Sequence, residues 1–188
     1  MQIPDGSRKI IVLTVIILLL LAVAMFFVEG CAKIPLNYSP GSVSKASGSI
    51  SVSNFKYLPA ETGKVKLYQI RNTALGSLKF DKNIDTFFRD AVIKELHSAG
   101  VKLDEKTRVL GGEIEDFLID ELSSSVDWTL KVHYLVKNLQ TGDTVYESTT
   151  TTRRKASKLV NVSSALNEMI KLNIEELLND EAFIKAIN

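Results

Sequence analysis

Val126-Asp127-Trp128-Thr129-Leu130-Lys131-Val132-His133-Tyr134-Leu135-Val136 decides the fold. Apolar residues occupy every even position and mostly polar ones the positions between. That period of two is a β-strand with one face buried and one largely wet. The next residues, Asn138-Leu139-Gln140-Thr141-Gly142-Asp143, carry hairpin-turn chemistry, and Thr144–Arg154 reads as the returning strand. On the other side, Val109–Ile119 reads as a strand whose alternation slips between Ile114 and Phe117, which predicts a bulge. Three antiparallel strands thus form the middle of the domain.

Helical spacing flanks them. From Asp81 or Lys82 to Ser98, the residues Ile84, Phe87, Phe88, Ala91, Val92 and Leu96 recur every three or four positions, and Gly100 is placed to end the helix. A last helix starts at Asn161 or Ser163, with Ala165, Met169, Leu172, Ile174, Leu177 and Leu178 for its inner face, and Glu181–Asn188 adds one more turn. Before the first helix, Ser49–Tyr57 and Val65–Ile70 read as strands, the second with Val65, Leu67 and Gln69 on one face. The expected architecture is α+β, a mostly antiparallel sheet with two helices packed on one face, in a single domain over residues 49–188.

The N-terminal region has another character. Ile10 to Val28 is uncharged, with Thr14 its single hydroxyl, and it follows Arg8 and Lys9. A basic start, an apolar run and the small residue Gly30 are the parts of an export signal, read here as residues 1–30. Directly after it stands Cys31, the only cysteine among the 188 residues. Val28-Glu29-Gly30-Cys31 resembles the bacterial lipobox: aliphatic at Val28, small at Gly30, and the cysteine whose thiol takes the lipid. Glu29 departs from that pattern, where a small uncharged residue is usual. The other reading of the segment is an uncleaved signal anchor, because the apolar run exceeds the roughly 7–15 residues of a cleaved signal and approaches the ~20 that span a bilayer. Either way a membrane is the first partner. Ala32 stands after the cysteine in place of the Asp that retains lipoproteins in the inner membrane of enteric bacteria, so the resemblance implies an outer-membrane lipoprotein with a periplasmic domain. Pro35–Gly48, rich in Ser, Gly and Pro, reads as a flexible tether with a span of roughly 20 Å. Residues 31–48 are accordingly expected to be a lipidated N-terminus and linker.

Formal net charge is +1, and it stays near that value without residues 1–30, so bulk charge gives no reason to expect nucleic acid as a partner. With its one thiol acylated, the domain has no disulfide and must be held by its core.

Tyr68-Gln69-Ile70-Arg71-Asn72 followed by Leu75-Gly76, then Leu96-His97-Ser98-Ala99-Gly100-Val101, and Leu110-Gly111-Gly112-Glu113-Ile114-Glu115-Asp116-Phe117 resemble the YajG family of outer-membrane lipoproteins. Trp128, Gly142, Leu177 and Leu178 fit the same pattern, while Gln69 stands where that family often has an acid. A fainter similarity extends to auxiliary lipoproteins of ABC-type lipid transporters. The resemblance implies a non-enzymatic envelope protein and supplies no catalytic residue.

Motifs for chemistry are sparse. His97 lies near a helix end and His133 on the wet face of a strand, neither with metal-ligand spacing. Glu113, Glu115, Asp116, Asp120 and Glu121 form the densest acidic run, which on a strand reads as a solvated face. Gly111-Gly112 lacks the strand-to-helix setting of a phosphate loop. No cofactor, metal ligand or catalytic residue is expected. Partner binding is assigned instead to Thr149, Thr150, Thr151 and Thr152, a threonine-rich segment suited to accept an added strand, with the basic Arg153 and Arg154 beside it. The leading expectation is a lipid-anchored binding or assembly module with an envelope protein partner. An accessory of lipid transport, holding an apolar ligand between sheet and helices, is the alternative.

Overall fold

The computed structural model describes residues 33–41, 44–121, 125–157 and 161–188, together with Thr14, Ile16 and Ile17, which are helical. Residues 1–32 and 33–188 are separate units, and the second is the domain. The rest of the segment read as an export signal, including the expected cleavage region and Cys31, lies outside the described residues. No helix among those described is long and apolar enough to cross a membrane.

The chain runs β1 (Ser51–Tyr57), α1 (Leu58–Glu61), β2 (Gln69–Asn72), β3 (Gly76–Lys79), α2 (Ile84–Ala99), β4 (Arg108–Asp120), β5 (Val126–Asn138), β6 (Thr144–Ala156), α3 (Val162–Leu178) and α4 (Glu181–Ile187). The expected α+β fold is present. Strands β4, β5 and β6 form the antiparallel meander, with Ile114 opposite Val132 and Val132 opposite Thr150. The other edge of β4 is shared end to end by two parallel neighbours, β1 over Val109–Ile114 and β2 at Leu118 and Ile119. The spatial order is β3-β2-β4-β5-β6.

All six even positions quoted from β5 are buried. The predicted slip in β4 is a register shift between Ile114 and Asp116. Every apolar residue predicted for the stripe of α2 is buried as well, and the helix closes on Gly100 at φ 103°, with Val101 N–H donating to Leu96 O and Gly100 N–H to His97 O. That double bond is a Schellman cap, and its left-handed residue is why glycine stands there. Between sheet and helices the space is filled by rings: Phe55 meets Phe88 edge-on at 5.1 Å and Tyr134 at 5.9 Å. Side chains of this kind contribute ~1.5–3 kcal/mol each on full burial.

Three expectations are corrected. Residues 65–68 are not strand: the backbone N–H groups of Lys64 and Val65 both donate to Pro59 O, closing a loop after α1, and Leu67 is exposed. The strand begins at Gln69, turns Ile70 and Asn72 inward, and pairs with β3 in a hairpin. On α3, Leu172 is only half-buried and Asn173 takes the buried position beside Ile174. The third correction concerns the expected tether, whose described residues 35–41 and 44–48 dock on the domain, as described below.

Asn173 replaces an aliphatic side chain because it satisfies three buried partners. Its Oδ1 accepts from Tyr134 Oη at 2.7 Å, its Nδ2 donates to Thr152 Oγ1 at 3.0 Å, and the same nitrogen reaches Thr150 O at 3.5 Å. Burial holds the Tyr134 phenol well above its ordinary pKa, so it serves as a neutral donor. Asn173→Leu would keep the helix but leave that hydroxyl without an acceptor, at a cost of about 2–3 kcal/mol. Urea unfolding should show the loss, and an unchanged midpoint would refute the role given to this network.

Candidate functional site

Three surfaces are candidates: the strap before β1, the edge strand β6, and the helix-free face of the sheet. The strap is built from residues 34–41 and 44–50. Ile34 bridges Phe80 in parallel, its N–H donating to Lys79 O at 2.9 Å and its carbonyl accepting from Asp81 N–H at 3.1 Å. Leu36 N–H donates to Asp81 Oδ1 and Lys82 Nζ donates to Leu36 O. Leu36 and Tyr38 are 1% and 6% exposed, although the sequence around them has no periodicity to announce it. Tyr38 Oη donates to Glu95 Oε1 at 2.5 Å, and Gly41 N–H donates to the same oxygen at 3.0 Å. Further along, Ala46 N–H donates to Ala99 O, and Ser49 N–H to Ile187 O.

The partners on α3 run in the same direction. Ser163 Oγ donates to Pro35 O, Asn167 Nδ2 to Asn37 O, and Ser44 Oγ to Asn179 Oδ1. The strap therefore lies along both helices from their N-terminal to their C-terminal ends. Glu95 is the residue that sequence reasoning missed. It is fully buried in the apolar stripe of α2, and an acid in such a stripe is the signal that could have revealed a polar partner arriving from elsewhere in the chain. Burial, with the bond to Glu95 next, raises the pKa of Tyr38 far above its ordinary value, so this phenol is a donor and not an acid–base group.

The predicted partner strand β6 is the terminal strand of the sheet and pairs only with β5 among the described strands. The opposite terminal strand, β3, is followed at once by Phe80, where Ile34 bridges. Within 149–152 the four threonines divide. Thr149 and Thr151 alternate with Thr150 and Thr152, which are only 9% and 4% exposed and lie under α3. The last two belong to the Asn173 network, because successive side chains of a strand point to opposite faces, while strand addition would use the backbone of the edge. Arg153 is exposed opposite Thr129, and Arg154 pairs with Glu168 on α3.

On the helix-free face three acids of β4 are each paired with a base. Glu113 pairs with Lys56 at 3.2 Å, Glu115 with Lys131 at 2.7 Å and Asp116 with Arg71 at 2.7 Å. His133 Nε2 lies 2.8 Å from Glu147, while His97 is exposed at the end of α2. Among the described residues no three His, Cys, Asp or Glu side chains are grouped to hold a metal ion. Clefts on this surface are shallow; one of about 210 Å³ has Gly111, Gly112 and Leu135 at its floor, and another of about 370 Å³ lies beside Thr129, Arg153 and Lys155. This face can offer a polar contact surface, with part of its charge paired within the sheet.

No protein-family model matches the chain, and no curated protein matches it in sequence. Solved structures do. A Xanthomonas campestris protein of the family DUF330 is similar over 82% of this chain and 96% of its own, at 14% identity and a TM-score of 0.64. A hypothetical protein of Chlamydia trachomatis is similar over 70% of this chain and 93% of its own, at 13% identity and a TM-score of 0.51. A minor lipoprotein of Acinetobacter baumannii also matches, at 12% identity over 74% of this chain and 92% of its own, with a TM-score of 0.38. The comparisons support the helix-on-sheet fold read from the periodicity, without singling out YajG; the chain shares its fold with the Xanthomonas and Chlamydia proteins.

Proposed function

We propose that the chain is a lipid-anchored protein of the bacterial envelope whose domain acts as a non-catalytic binding or assembly module. The observation that carries this reading is the position of the only cysteine, at the end of an uncharged apolar run and directly ahead of a packed domain. The outer edge of β6, unpaired among the described strands and bearing Thr149 and Thr151, is the surface assigned to an envelope protein partner. Anchoring at the outer membrane, with the domain in the periplasm, follows from Ala32 after the cysteine. The competing reading, a lipid-transport accessory with an apolar ligand between sheet and helices, is disfavoured by Phe55, Phe88 and Tyr134 occupying that space.

The test is intact mass and membrane partitioning in a bacterial host, with Cys31→Ser alongside. The wild-type mass should begin at Cys31 and include acyl chains; the variant should lose them and move to the soluble fraction or remain as the precursor. Several chains on one cysteine make attachment effectively permanent, whereas one chain holds only reversibly. An unprocessed, unmodified mass for both proteins would replace the lipoprotein with a signal anchor.

A further inference from the structure

We infer that the corner of the domain where Ile34 joins β3, carrying the exposed Lys33, Lys66 and Lys82 near Leu67, is the surface that the domain sets against anionic lipid headgroups. The inference rests on the anchoring reading above and adds an orientation to it. Only three peptide units separate Cys31 from Ile34, a reach of at most ~11 Å. A domain of this size has a radius of gyration of roughly 15 Å. Slack further along the chain would loosen that limit, but the strap removes it, because Ile34, Leu36 and Tyr38 are each bonded to the β3–α2 corner or to α2. A leash shorter than the radius lets the domain rock, and does not let it turn over to present another face.

The chemistry of the corner suits that position. Lys33 is exposed, with its Nζ 5.1 Å from the centre of the Tyr68 ring. Lys66 is exposed in the turn that Gln69 closes, Gln69 pairs with Lys79 across the β2–β3 hairpin, and Lys82 is exposed beside Leu36. The nearby acids are Asp81, whose Oδ1 accepts from Leu36 N–H, and Asp85, in the first turn of α2. Leu67 stands 41% exposed among these bases. Lysines around one exposed aliphatic side chain match an anionic interface, where the ammonium groups meet phosphates and the leucine enters the headgroup layer.

The experiment uses the full chain, isolated from bacterial membranes and reconstituted in vesicles of phosphatidylethanolamine and phosphatidylglycerol. Leu67→Cys and, at the opposite edge of the sheet, Val145→Cys are labelled with a fluorophore, and quenching by a headgroup spin-labelled lipid is compared. Quenching at position 67 should exceed that at 145 by about threefold or more, and Lys33→Glu with Lys66→Glu, or vesicles without phosphatidylglycerol, should at least halve the ratio. Equal quenching at the two positions, or a ratio indifferent to both changes of charge, would overturn the assignment. The unmutated chain should take no dye, since acylation blocks Cys31. Dye on it sinks the anchoring reading alone, and the ratio measured in a Cys31→Ser background still decides the orientation; failure of that protein to associate with vesicles overturns both.

Discussion

Gly112→Ala is expected to lower stability by about 3 kcal/mol or more, a large fraction of the stability of an ordinary domain. Gly112 sits in β4 with φ at +151° and is flanked on both sides, by Phe55 of β1 and by Tyr134 of β5. A Cβ there would lie 1.9 Å from His133 O and 3.0 Å from His133 C. Both are backbone atoms held by the β4–β5 ladder, so no side-chain rotation can make room. The close approach is what lets Phe55 and Tyr134 meet at 5.9 Å next to the residue that has no side chain. Gly111 is a control. Its Cβ would lie 2.3 Å from Ser53 Oγ, the end of a short rotatable side chain, so Gly111→Ala should cost about 1 kcal/mol, because the hydroxyl can turn away. Urea unfolding of both variants checks the contrast, and equal costs would mean that the strands part more easily than the ladder implies.

Glu95→Ala should detach the strap. The carboxylate accepts from Tyr38 Oη and Gly41 N–H at a site with no water-exposed surface on Glu95 itself. Truncation leaves both donors without that acceptor, and Leu36 and Tyr38 then gain little by staying docked; the loss should be about 2–4 kcal/mol. Glu95→Gln retains a carbonyl acceptor and should lose less. Hydrogen exchange of the peptide covering 34–48 distinguishes a local from a global effect: in Glu95→Ala its amides should exchange at least tenfold faster, while those of β5 change less. Protection of the strap unchanged from wild type would show that backbone bonds at Ile34 and Ala46 suffice to hold it. Release would also lengthen the leash on the domain, so the preference of position 67 over 145 for the headgroup layer should weaken in the same variant.

These effects arise at residues whose roles the sequence hid to different degrees. The even positions of β5 and the stripe of α2 were legible because burial of one face leaves a period of two or of 3.6 in the residue types themselves. The bulge in β4 was legible for the same reason, as a break in that period. The β2–β3 hairpin was not. Each of its strands has four residues, too few for alternation to stand out, and the preceding loop contains apolar residues that mimic a strand. Glu95 and Asn173 interrupt apolar stripes, and their partners, Tyr38 and the pair Tyr134 and Thr152, lie far away in sequence, so nothing local explained them.

By itself the sequence determined the meander, the two long helices, the expectation of an anchor at Cys31 and the lack of a recognisable catalytic motif, since each is written in local periodicity, spacing or composition. Only the tertiary structure decided that residues 35–41 and 44–48 form a strap and not a tether, that Thr150 and Thr152 face a helix, and that Gly112 must remain glycine. Those outcomes depend on which distant groups come within bonding or clashing distance: a buried acceptor that selects Tyr38, a helix that covers Thr150 and Thr152, and a strand that passes too close for a Cβ.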